Sequence, residues 1–172
     1  MGITKEDRAI VTGKYARKTD DLFATETSSQ VLAAWEVPYP DRFKQVADLC
    51  KTRLALAETN KYPVASVQLR WISGALEEEA NALLCFRLMK TAVGLQRFSQ
   101  DHDNKYPDAL AQMVPIYLKS LPENPTDGQS LKYKKSNRGY LLSGTRRETK
   151  FSFAGEGELP WQITIVAAPE SK

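Results

Sequence analysis

Residues 104–144, NKYPDALAQMVPIYLKSLPENPTDGQSLKYKKSNRGYLLSG, constrain the fold more than any other stretch. Their turn formers, apolar anchors and strand residues follow the order of a helix end, a short helical turn, a proline-rich connector and a hairpin. Asn104 tolerates left-handed backbone, and a residue before proline is driven into extended geometry. Asn104 followed by Tyr106-Pro107 therefore reads as a helix stop and a corner. Over 108–118, Leu110, Met113, Val114 and Leu118 have the spacing of a short amphipathic helix, whose last turn Pro115 ends or tightens. Pro122, Pro125, Asp127 and Gly128 make a turn-rich connector. Residues 131–135 and 140–143 flank Ser136-Asn137-Arg138-Gly139 as a β-hairpin, and 150–154 and 162–167 are the next strand candidates.

Upstream of this run the pattern is helical. Over 64–102, Leu76, Ala80, Leu84, Leu88, Thr91, Leu95 and Phe98 fall on one stripe, and Pro63 suits the first turn. Gly74 marks a kink or a boundary between two helices. The run Glu77-Glu78-Glu79 would then suit a helix start after Ser73 or Gly74, where carboxylates oppose the positive end of the macrodipole. Adjacent residues point in different directions around a helix, so these three read as a solvated face and not as a catalytic carboxylate pair. Over 43–58, Val46, Leu49, Cys50, Leu54 and Ala57 recur at helical spacing. The Pro38-Tyr39-Pro40 break precedes that helix, with Asp41 as a candidate N-cap. The segment up to Tyr39 is polar, with Leu22, Phe23, Val31, Leu32 and Trp35 as anchors for one or two short helices. The expected class is α+β: N-terminal helices and one long helix packed on a small antiparallel sheet. The expected division is a helical region 1–63 leaning on an α+β domain 64–172.

The 172 residues are 42% hydrophobic, enough for a packed core, and the net charge of +3 is too small to imply a polyanionic partner. Cys50 and Cys85 lack metal or redox spacing and read either as buried thiols or, in an oxidising compartment, as a pair. The most apolar run, 83–90, is broken by Arg87 and Lys90, and the first residues lack the apolar core of a signal peptide. The chain then reads either as cytoplasmic or as a soluble piece of an exported protein. No phosphate loop, nucleophile elbow or zinc helix is present, and His102 alone cannot supply a triad, so the sequence implies no enzyme, no cofactor and no metal site. Asp101, Asp103, Asn104 and Asp108 cluster at the corner without the spacing of a calcium loop. Trp35, Trp71 and Trp161 read as core or interface packing.

Basic residues are concentrated near the hairpin. Lys132, Lys134, Lys135, Arg138, Arg146, Arg147 and Lys150 lie among Tyr133, Tyr140, Phe151 and Phe153, the combination of charge and rings that single-stranded nucleic acid uses. Strand alternation sets Tyr133 on one face and Lys132 and Lys134 on the other, which favours a solvated sheet face.

Roughly residues 90–144, from the last third of the long helix through the hairpin, resemble the globular half of type II secretion major pseudopilins and of pilin-like proteins generally. In that family a long helix ends in a Tyr-Pro corner, followed by Val-Pro-x-Tyr-Leu, a Leu-Pro-x-Asp-Pro-x-x-Gly turn and a hairpin ending Gly-Tyr-x-Leu-x-Ser. The matching residues are Tyr106, Pro107, Leu110, Val114, Pro115, Tyr117, Leu118, Leu121, Pro122, Pro125, Gly128, Leu131, Tyr133, Gly139, Tyr140, Leu142 and Ser143. The resemblance implies a non-catalytic protein of the cell envelope or periplasm, acting through protein–protein contacts in secretion or pilus-like assembly. This chain has Asn124 in place of the family's aspartate, and the basic run Arg146-Arg147-Glu148-Thr149-Lys150 where the family binds calcium. It also has the polar residues 1–70 where the family continues its helix into an apolar membrane segment. The alternative is a nucleic-acid or anionic-surface binding module using 132–150.

Overall fold

The computed structural model describes residues 18–136, 139–144 and 162–166. The strand expected over 150–154, Trp161 and the basic residues Arg138, Arg146, Arg147 and Lys150 lie outside them. The described elements are three α-helices, α1 (Lys18–Trp35), α2 (Asp41–Thr59) and α3 (Pro63–Asp101), a 3-10 turn (Leu110–Met113), and strands β1 (Lys132–Ser136), β2 (Gly139–Ser143) and β3 (Gln162–Val166). The architecture is α+β. The chain divides into two compact units between Glu79 and Ala80, inside α3 and not at the expected break after residue 63. The early residues of α3 bury Ala65, Val67, Leu69 and Leu76, so the helical unit claims part of the long helix.

In the first unit, α1 is a single helix of 18 residues, longer than the short helices expected. Of its predicted anchors only Val31 is buried, while Leu22 and Leu32 are 61% and 68% exposed. The helix turns inward along Asp20, Ala24, Thr27 and Val31, a row at helical spacing that is half polar. The α2 helix buries Val46, Cys50 and Ala57 of its expected stripe together with Phe43, while Leu49 and Leu54 are half-buried. Pro40, not Asp41, stands at its N-cap, and Asp41 falls in the first turn, where its charge still opposes the macrodipole. Lys61 reverses the chain in left-handed geometry before Pro63 opens α3. That helix runs unbroken through Gly74 for 39 residues. The glutamate run is consequently mid-helix and not at a start, and of the three only Glu78 is exposed, Glu77 and Glu79 being half-buried.

The second unit begins with the remainder of α3. Leu84, Leu88, Ala92 and Leu95 form a core with Tyr106, Leu110, Met113, Leu118, Leu131, Tyr140 and Leu142, and Phe98 and Tyr133 pack at its margin. Each fully buried leucine contributes roughly 1.5–3 kcal/mol. Asn104 adopts φ 60°, the left-handed stop expected of it, and its N–H closes on Ser99 O at 2.9 Å. The helix expected over 108–118 shrinks to the 3-10 turn. Pro115 forces Val114 into extended geometry, φ −92° and ψ 135°, which ends any helix there. In the connector, Gly128 takes φ 72° and donates its N–H to Asn124 O at 2.8 Å, a conformation that favours glycine.

The sheet has the order β1-β2-β3 and is antiparallel throughout. Tyr133 lies opposite Leu142, Lys134 opposite Leu141 and Lys135 opposite Tyr140, and Ser136 and Gly139 close the hairpin. On its other edge β2 places Leu142 opposite Ile163 and Leu141 opposite Thr164. The expected hairpin and its packing on the Leu84, Leu88 and Leu95 face of the long helix are both present.

Candidate functional site

The hairpin separates the charges from the rings. With a two-residue side-chain period, the register puts Tyr133, Lys135, Tyr140 and Leu142 on one face and Lys132, Lys134, Leu141 and Ser143 on the other. Tyr140 and Leu142 are buried, whereas Lys132 and Lys134 are exposed. The Tyr133 hydroxyl donates to Pro107 O at 2.7 Å, and Tyr140 meets Tyr106 edge-on with centroids 5.0 Å apart. Burial pushes the Tyr133 and Tyr140 phenols up to about 12, with Asp108 adding to the effect on Tyr133 and Tyr106 to that on Tyr140. Both rings are structural anchors: Tyr140 is buried, so no nucleobase can stack on it without opening the core, and Tyr133 is half-buried at the margin of that core. Lys135 shares their face, but its Nζ reaches Asp108 at 2.7 Å. Of the seven basic candidates, the described residues thus bring Lys132 and Lys134 onto one exposed face and turn Lys135 toward a carboxylate.

The residues around the corner are engaged locally. His102 is exposed and stacks on Phe98 with centroids 3.9 Å apart, its Nδ1 lying 2.8 Å from Phe98 O. Asp101 accepts a hydrogen bond from the Tyr117 hydroxyl at 2.8 Å, which holds that phenol above its ordinary range. Asp108 receives Lys135, and Asn104 serves the helix stop. Among the described residues no three His, Cys, Asp or Glu side chains gather as a metal cage. Asn124 uses its Oδ1 to accept both the backbone N–H and the hydroxyl of Thr126, at 3.1 and 3.0 Å.

Polar contacts in the first unit have no local sequence signal. Asp20 is fully buried and accepts the N–H groups of Val64 and Ala65, both at 3.0 Å. A residue 44 positions upstream therefore caps the long helix, satisfying two donors that the helix cannot pair itself. Arg42 bridges Val37 O and the Glu79 carboxylate at 2.7 and 2.9 Å, with its guanidinium 5.0 Å from the Tyr39 ring centroid. Burial, reinforced by the Glu79 charge, raises the Tyr39 phenol to about 12. Arg53 grips Gln30 and Glu26 of α1 while lying over Phe23. These glutamates and arginines hold helices together, which the reading of Glu77-Glu78-Glu79 as a solvated face did not anticipate.

Both cysteines are free thiols. Burial pushes the Cys50 thiol up, away from the reactive thiolate. Trp71 is 38% exposed and not part of a core. No helix of the described residues is long and apolar enough to cross a membrane.

The feature that sequence periodicity passed over is a second row on α3. Phe86, Met89 and Val93 are 70%, 50% and 60% exposed. They lie three and four residues apart, on a face different from that of Leu84, Leu88 and Leu95. The signal was present in the sequence, since these apolar residues fall outside the main stripe. Lys90 and Arg97 are also exposed along this stretch of the helix. Such a row offers contact area and no reactive group. Comparison with protein-family models, with curated proteins and with solved structures finds no match for this chain.

Proposed function

We propose that this chain is a non-catalytic protein of the cell envelope, akin to the globular domains of type II secretion pseudopilins, that acts through protein–protein contacts in secretion or pilus-like assembly. The observation that carries the reading is the composition of the second core. Tyr106, Leu110, Leu118, Leu131, Tyr140 and Leu142 all belong to the pilin-like pattern and all lie in one core with Leu84, Leu88, Ala92 and Leu95 of the long helix. A pattern whose members meet in one core supports a shared way of folding, since each of those positions then answers to the others. Fold analogy alone does not specify activity. The exposed apolar side chains of α3 support the contact role, because large side chains left in a row at a surface are candidates for a partner.

The test is photo-crosslinking in the source cells from positions 86, 89 and 93, combined with fractionation. The expected result is recovery with the envelope and adducts to components of a secretion or pilus-type assembly. Recovery in the cytoplasm with adducts to nucleic acid would replace this reading with the anionic-surface alternative. In that case salt-dependent binding of single-stranded DNA, lost in Lys132→Glu and Lys134→Glu, is the accompanying measurement.

A further inference from the structure

We infer that the Phe86, Met89 and Val93 row receives an amphipathic helix of a partner protein whose apolar seam is flanked by carboxylates. This rests on the protein-contact reading above and names the chemistry of the partner. Ala82, Phe86, Met89, Val93, Gln96 and Gln100 alternate four and three residues apart, and all six are exposed. That is the spacing with which one helix presents knobs and holes to another, and it persists over the last five turns of α3.

The two sides of this seam differ. On one side Ala92 and Ser99 are buried and Cys85 is half-buried. On the other, Lys90 and Arg97 stand seven residues apart, exposed, and neither forms an ion pair among the described residues. A helix laid on the seam therefore meets two cations at a heptad interval along one flank, and acidic residues at that interval would pair with them. A second copy of the chain does not fit. Antiparallel pairing sets Lys90 and Arg97 against their own equivalents, while parallel pairing sets them opposite Ala92 and Ser99, which are buried in their own core.

An anionic bilayer shares part of this chemistry, since it also takes apolar side chains beside cations. The row itself argues for a helix. Its large apolar side chains, from Phe86 to Val93, extend only about 10 Å, seven rises of about 1.5 Å each, and the same seam continues through Gln96 and Gln100. Gln96 Oε1 already accepts from the Tyr106 hydroxyl at 3.3 Å, but its amide N–H groups and the Gln100 amide can hydrogen-bond to a protein partner and lose water without compensation among acyl chains.

The experiment uses two synthetic helical peptides of about three heptads, identical in their leucine seam and carrying glutamate or lysine at the flanking positions. Binding to the full chain is followed by fluorescence anisotropy at low and at physiological salt. The glutamate peptide is expected to bind about tenfold tighter or better. Lys90→Glu with Arg97→Glu should invert the preference, and Phe86→Ser should weaken binding of the glutamate peptide by about tenfold. Circular dichroism checks that each variant is folded, and the charge reversal stands as the test if Phe86→Ser is not. Equal affinity for both peptides overturns the inference, as does tighter binding to vesicles rich in anionic lipid than to either peptide. If the peptides bind equally while crosslinks from positions 86–93 still reach secretion or pilus components, this inference fails and the functional reading stands. If the glutamate peptide is preferred but the crosslinks reach no such component, the functional reading fails and this inference stands.

Discussion

Helices are linked differently in the two units. In the first, α1 and α2 are joined through Arg53, Gln30 and Glu26, and α1 is tied to α3 through Gln68 donating to Ser28 at 2.7 Å and through the Asp20 cap. Its buried apolar side chains on α1 are no larger than valine. In the second, the long helix meets the hairpin through leucines, a methionine and tyrosines with no ion pair inside the core. Polar links contribute about 0.5–1.5 kcal/mol each but demand fixed partners, while a buried leucine contributes more and tolerates small adjustments. The attachment of α1 is thus specified largely by geometry, whereas α2 and the start of α3, which bury Phe43, Val46, Leu69 and Leu76, and the whole second unit are specified by volume.

The largest expected effect sharpens that contrast. Leu95→Ala removes a side chain that is 0% exposed and should cost about 2–5 kcal/mol in urea denaturation. A loss below about 1 kcal/mol would mean that volume does not decide the second unit. Asp20→Ala should cost about 1–3 kcal/mol, because the Val64 and Ala65 N–H groups lose a buried acceptor. Hydrogen exchange should locate the loss at the first turn of α3, and unchanged protection there would show that the polar links of the first unit are incidental.

Alkaline titration reads buried phenols in both units, Tyr39 in the first and Tyr133 and Tyr140 in the second. Tyr133 and Tyr140 are raised from 10.0 to about 12 by burial. A folded-state value above the unfolded one means that the unfolded chain loses these protons first. The stabilising contribution is therefore complete below pH 10 and declines as pH rises through about 12. Tyr133→Phe should flatten the decline while giving up the hydrogen bond to Pro107, and a stability profile that is level up to pH 12 would contradict this account. The smallest expected effect is that of Lys135→Ala. Its ion pair with Asp108 leaves the two side chains 40% and 80% exposed, so a change of at most about 0.5 kcal/mol in the free energy of unfolding is expected. A larger loss would place charge among the determinants of the second unit.

Local pattern revealed those parts whose partners lie nearby in sequence or share a simple period. The stripe from Leu76 to Leu95, the stop at Asn104, the hairpin and the separation of Tyr133 from Lys132 and Lys134 all follow from helical or strand periodicity. The length of the 108–118 helix was misjudged because the effect of Pro115 on Val114 outweighs amphipathic spacing. Gly74 was read as a break, yet its cost in a helix is only about 1 kcal/mol and tertiary burial on both sides of it exceeds that.

The sequence by itself determined the α+β class, the inward face of the long helix and the corner that ends it, because dihedral preferences and side-chain periodicity act over a few residues. Only the tertiary structure decided that Asp20 caps a helix 44 residues away and that Arg42 takes Glu79 out of a run of like charges. Burial and long-range hydrogen bonds depend on which surfaces the folded chain brings together, and a one-dimensional pattern does not record that.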